Sequence, residues 1–134
     1  REDAPRFAAV VDEAALHRCV GGPAVMAAQL RRLLEVNDTP GCCLRVLPFD
    51  VGAHPGVDGP FTVLSYACPI GLEVAVLEHR ETRHHVERPE QVARYRAVFD
   101  ELAAAALPPE DSQELIAGAL RRHEQRRPER EVAR

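Results

Sequence analysis

The chain of 134 residues contains no tryptophan, no lysine and one methionine, and aromatic side chains make up only 4% of it. Any interior must therefore be filled by Leu, Val, Ala and a few isolated rings. All 17 basic residues are arginines, Ile occurs only at positions 70 and 116, and Asn only at position 37. That bias follows GC-rich codons and leads us to expect a high-GC source organism, so it says nothing about stability. Long hydrophobic runs are missing too. The uncharged stretch from Gly59 to Leu72 is interrupted by Gly, Pro and Ser, which excludes a membrane-spanning helix there. The opening residues Arg1-Glu2-Asp3-Ala4-Pro5 lack the basic start, apolar middle and cleavage site of a signal peptide. With no start methionine, the chain is expected to be a piece of a longer protein, working in the cytoplasm.

The four cysteines, at 19, 42, 43 and 68, form no C-x-x-C pair, which excludes zinc-ribbon and thioredoxin-like patterns. They read as buried free thiols. Adjacent Cys42 and Cys43 could bridge only with strain, and Arg45 is the one nearby cation to favour a thiolate, so redox sensing is a weak alternative. A net charge of -4 opposes gripping a phosphate backbone, which calls for a basic face.

What is present describes an ordinary globular domain, with 46% hydrophobic and 28% charged residues. One core is expected, over residues 1–124, with a frayed charged tail at 125–134. Arg6 to Val11 reads as a buried strand. After Gly21-Gly22-Pro23, the apolar spacing of Met26, Leu30, Leu33 and Leu34 predicts an amphipathic helix from Pro23 to Val36. Cys42 to Phe49 resumes an extended pattern that ends at Pro48.

Phe61 to Ala67 and Leu72 to His79 alternate as two strands of a hairpin around Cys68-Pro69-Ile70-Gly71. Glu81 to Glu87 reads as a short edge strand. Val92, Tyr95, Phe99, Leu102 and Ala106 recur in steps of three and four and predict a helix over Pro89 to Leu107. Another helix follows Pro108-Pro109, with Glu110 and Asp111 in its first turn and Leu115, Ile116, Ala119 and Leu120 on its apolar face. The expected fold is mixed α/β: one small mixed β-sheet, an N-terminal crossover helix, and two C-terminal helices packed on the sheet.

Several pieces taken in order resemble one family. They are Asp12-Glu13-Ala14-Ala15-Leu16, Gly21-Gly22-Pro23, Met26 and Gln29-Leu30, then Val46-Leu47-Pro48-Phe49, Gly52-Ala53-His54-Pro55-Gly56 and Gly59-Pro60-Phe61. Tyr95, Phe99-Asp100, Leu102, Ala106-Leu107, Ser112 and Leu115-Ile116 continue the likeness almost to the end of the chain. The family is the uncharacterised C-terminal domain that follows an Xre-type helix-turn-helix in regulators of Streptomyces and related actinobacteria. This chain departs from its usual tyrosine-rich strand at Glu78-His79-Arg80. The resemblance implies a sporulation or secondary-metabolism regulator, often encoded beside a small partner protein, that touches DNA only through an upstream helix-turn-helix.

Six histidines raise the question of a metal. On a strand His84 and His85 point to opposite faces, so only one of them could join His79, and no third ligand is evident. Neither a metal nor a cofactor is expected. Ser65 and Ser112 lack a nucleophile signature, and Ser112 reads as a helper of the exposed N-H groups at the start of the last helix. No catalytic residue is assigned.

The loop from Asp50 to Pro60 is the candidate recognition surface, through Asp50, Gly52, His54, Gly56 and Asp58 with Phe61 at its edge. A rigid connector is the alternative. Leu115, Ile116, Ala119 and Leu120 are the candidate association surface for a homodimer or protein partner. The expected function is ligand sensing or partner binding within a transcription regulator. A small or degenerate enzyme using the 50–60 loop is the alternative.

Overall fold

A computed structural model describes residues 6–54, 59–66 and 72–126. It is mixed α/β, as the sequence leads one to expect, but it forms two compact units rather than one core. The first comprises residues 1–50 and 106–134, and the second residues 51–105.

In the first unit, strand β1 (Phe7–Asp12) leads through a short helix α1 (Ala14–His17) into α2 (Pro23–Asn37) and then β2 (Cys42–Leu47). β1 and β2 pair in parallel from Phe7 opposite Cys42 to Asp12 opposite Leu47. α2 is thus the expected crossover, and α1 is an addition the sequence reading did not foresee. The last helix, α4 (Pro109–Gln125), packs against α2 and β2. Leu16, Met26, Leu30, Leu44, Val46, Ile116 and Ala119 form the core between these elements. Cys19 packs against it, and Cys19, Cys42 and Cys43 are half-buried free thiols.

The expected single sheet is two sheets, and β2 shows why. In a parallel pair alternate residues of a strand turn their backbone groups outward. Leu44 and Val46 do so here, and both find partners that are not strands. Asn37, at the end of α2, accepts from Leu44 N-H at 2.6 Å and donates to its carbonyl at 2.8 Å. Val46 N-H donates to Ser112 Oγ at 2.9 Å, while its carbonyl accepts from Leu107 N-H at 2.9 Å. Arg45 donates to the carbonyls of Leu107 and Ala106. A third strand would find this edge already bonded.

The second unit is an antiparallel meander of β3 (Phe61–Tyr66), β4 (Leu72–Glu78) and β5 (Arg83–Val86), packed by α3 (Pro89–Ala105). The expected turn at 68–71 lies outside the described residues. The β4–β5 turn is closed by a bond from His79 N-H to the Thr82 carbonyl at 2.8 Å. The segment Glu81 to Glu87, ambiguous by pattern, does supply the edge strand β5. Ala75 on the central strand and Val92 and Leu102 on α3 are buried. Arg96 on α3 bonds Ser65 of β3 and Glu73 of β4, fastening the helix to both strands. Among the described residues no helix is long and apolar enough to cross a membrane.

Candidate functional site

The residues picked from the 50–60 loop do not assemble into a described site. Asp50, the last residue of the first segment of the first unit, lies in a single 3-10 turn, Phe49–Val51. Gly52, His54 and Phe61 belong to the second. Gly56 and Asp58 lie outside the described residues. Gly52 is exposed with a φ of 73°, so a turn that glycine favours is its evident purpose. Phe61 packs its ring on Tyr95 with centroids 5.4 Å apart, a contact that seats α3 on the meander.

The proposed association surface is corrected more sharply. Ile116 and Ala119 are fully buried in the core, and Leu115 and Leu120 are half-buried against it. Their apolar face is spent on α2 and β2. Ser112 also has a different task from the one expected. It caps no N-H of its own helix but accepts from Val46 and donates to the Leu107 carbonyl at 3.2 Å.

A cleft of about 450 Å³ opens in the first unit between the start of α2 and the end of α4. Gly22 precedes the helix with φ 92° and ψ 164°, a conformation that suits glycine, and Pro23 opens the first turn. No side chain caps this end, so the N-H groups of Ala24 and Val25 have no partner within the helix. A Cβ on Gly21 would sit 3.0 Å from Val25 Cγ1, and the φ of 80° there is one that favours glycine, so a larger residue at this approach to the helix is strained. Gly22, Ala24, Arg31, His123, Glu124 and Arg126 are among the residues that line the cleft. At its rim Arg31 and Glu124 form an exposed ion pair at 3.4 Å.

His123 is the unusual member. Only 3% of it is exposed, and its Nε2 lies 2.8 Å from the Leu16 carbonyl. A carbonyl can only accept, so Nε2 carries the hydrogen and the neutral ring has its lone pair on Nδ1. Nδ1 is buried without a hydrogen-bond partner. Such a group is costly to leave unmatched. The sequence held a signal for it: 112, 116, 119 and 123 form one helical stripe, and all four residues are buried. The polar character of His123 disguised the continuation of that stripe.

A second polar cluster in the same unit is structural. Glu13 accepts from Phe49 N-H at 3.0 Å and pairs with His17 Nε2 at 2.9 Å. The guanidinium of Arg122 can only donate, so His17 Nδ1 accepts from it at 3.1 Å and Nε2-H points to Glu13. Burial raises the Glu13 pKa, but the Phe49 N-H bond, the His17 bond and the charge of Arg122 outweigh it and hold the carboxyl below its ordinary value. Both His17 nitrogens are committed to these bonds, which argues against a role as a general base.

In the second unit a smaller hollow of about 280 Å³ is lined by Val86, Gln91, Arg94, Tyr95 and Val98. His79 and His84 meet edge to face at 5.3 Å across the β4–β5 turn. Among the described residues no group of three or more His, Cys, Asp or Glu side chains is placed to hold a metal ion.

A family model described as a domain of unknown function, DUF5753, matches residues 1–118. No curated protein and no solved structure matches the chain. The matched span takes in the start of α2 with its glycines and Arg31. His123, Glu124 and Arg126 follow it.

Proposed function

We propose that this chain, which belongs to the family of domains of unknown function DUF5753, is the ligand-sensing regulatory part of an Xre-type helix-turn-helix transcription regulator of a Streptomyces-like actinobacterium. The observation that carries the sensing role is the α2–α4 cleft, lined by Arg31, His123 and Arg126 beside the uncapped start of α2. A concave site with a few polar side chains at its wall is the kind of place in which a small molecule binds. The acidic character of the chain supports leaving DNA contact to another domain. The link to a regulator rests on the family resemblance drawn from Asp12 through Ile116.

Regulation then works by association or conformational change, since a ligand that binds one state better than another shifts their balance without new chemistry. The cleft offers a lever for that shift, because its two walls belong to helices that pack on one another. A protein encoded alongside, or a second copy of the chain, would be the responding partner. The test is a reporter assay with the full-length regulator carrying His123→Gln or Arg126→Ala. Altered response in variants that retain the wild-type circular dichroism spectrum and melting temperature supports the reading. Unchanged regulation in both folded variants overturns it.

A further inference from the structure

We infer that two copies of the chain associate by pairing their β1 strands antiparallel, which joins two small sheets into one of four strands in the order β2, β1, β1, β2. The surface is separate from the α2–α4 cleft and does not depend on the sensing reading.

The backbone of β1 alternates in where it points. Phe7 N-H donates to the Gly41 carbonyl and Glu13 N-H to the Leu47 carbonyl, so the odd-numbered residues between them turn their groups toward β2. The N-H and carbonyl groups of Ala8 and Val10 then face away, and among the described residues no strand lies on that side. Ala8 is exposed. The other border of the same sheet is already bonded, by Asn37, Ser112 and Leu107. A sheet of two strands is small, and its open border carries the run Phe-Ala-Ala-Val-Val without the charges, prolines or bulges that discourage a neighbouring strand.

The ends of the strand decide what meets that border. Arg6 precedes it and Asp12 closes it, with no charge between. Such a segment is complementary to a second copy of itself in the antiparallel sense. A two-fold axis at Ala9 sets Arg6 opposite the partner's Asp12, and does so twice by symmetry. The Asp12 carboxylate accepts from Ala14 N-H at 2.9 Å and has capacity for a further bond. The same register puts Ala8 opposite the partner's Val10, so their outward N-H and carbonyl groups are exchanged in full. Phe7, 51% exposed in one copy, comes opposite the partner's Val11 on the face that carries Ala9, a pairing of an aromatic with a β-branched side chain. At the axis, where the backbones approach most closely, two small Ala9 side chains meet. An axis at Ala8 or Val10 would instead set Arg6 opposite the partner's Val10 or the partner's Ala14, with no opposite charge. Both outer borders of the four-stranded sheet are then the bonded borders of β2, so assembly stops at two copies.

Sedimentation of the intact chain over a dilution series, with amide exchange read by NMR, tests this. A monomer–dimer equilibrium is expected. The Ala8 and Val10 amides should exchange quickly in dilute solution and slow as the dimer fills, whereas those of Ala9 and Val11, bonded to β2, stay protected throughout. Ala8→Pro removes an N-H that takes no part in the β1–β2 pair, so it should keep the fold and raise the dimer dissociation constant by about tenfold or more. Arg6→Asp places like charges together at both ends and should raise it by about tenfold, and adding Asp12→Arg should restore it. If a variant loses the wild-type circular dichroism spectrum, the wild-type exchange pattern still decides the matter. A chain that is monomeric at every concentration overturns the inference. So does a dimer whose Ala8 and Val10 amides exchange as fast as the monomer's, one that ignores Ala8→Pro and Arg6→Asp, or a folded double variant that shows no recovery.

Discussion

Replacing Ser112 by alanine removes one oxygen that serves two backbone groups, the N-H of Val46 and the carbonyl of Leu107. Because Ser112 is completely buried, water cannot take its place at Val46. Ser112→Ala should cost about 1–3 kcal/mol, measured by urea denaturation. One turn on, Ile116 fills the same interior with hydrocarbon. Ile116→Ala should cost about 2–5 kcal/mol, and Ile116→Asp should leave the chain unfolded by circular dichroism. A folded, monomeric aspartate variant would contradict the placement of Ile116 in the core. Glu13 makes a prediction about pH. Its carboxyl titrates lower in the folded chain than in the unfolded one. The stability it contributes is therefore complete above the ordinary carboxylate range and disappears as pH falls through the lowered folded value. Melting temperatures from neutral pH down to acid should decline less steeply in Glu13→Gln than in the wild type, from a lower starting value.

At the level of elements, β2 depends on one side chain at the end of α2. Asn37 acts as a substitute strand residue, giving Leu44 both an acceptor and a donor. Asn37→Ala strips both partners from a buried residue and should cost at least as much as Ser112→Ala. Asn37→Asp keeps the acceptor and should cost less, with chemical denaturation ranking the three proteins. Substitutes of this kind explain what the sequence could and could not convey. The spacing of Val92, Tyr95, Phe99 and Leu102 is a local signal, and α3 forms where it predicts. Alternation in Phe61 to Tyr66 and Leu72 to Glu78 likewise marks two paired strands. The partition into two sheets was not legible, because β2 is closed by Asn37, Leu107 and Ser112 through bonds that no local pattern records. α1, at four residues, is too short for periodicity to register. The loop chosen for its glycines and polar side chains supplied no described site, since composition alone does not separate recognition from turn geometry. The cleft that the structure offers instead joins two helix ends from opposite halves of the chain.

For the whole molecule the expectation of one core gave way to two compact units, the second formed by a continuous segment between the two parts of the first. Apolar patterning identifies which faces are buried but not how many interiors they build. Net charge, by contrast, is a property the sequence reports fully. At -4 the chain should show no sequence-specific duplex DNA binding at physiological salt, measured by fluorescence anisotropy. Sub-micromolar specific binding would refute the assignment of DNA contact to another domain. The bonded outer border of β2 bears on behaviour at high concentration. A strand with unclaimed backbone groups can act as a template on which a neighbouring chain deposits its own strand, and repetition of that step grows fibrils. To recruit a neighbour along β2, the protein would first have to release Asn37, Ser112 and Leu107 together. Growth from that border is therefore gated by local unfolding, and variants that loosen any of the three should shorten the lag before fibril formation.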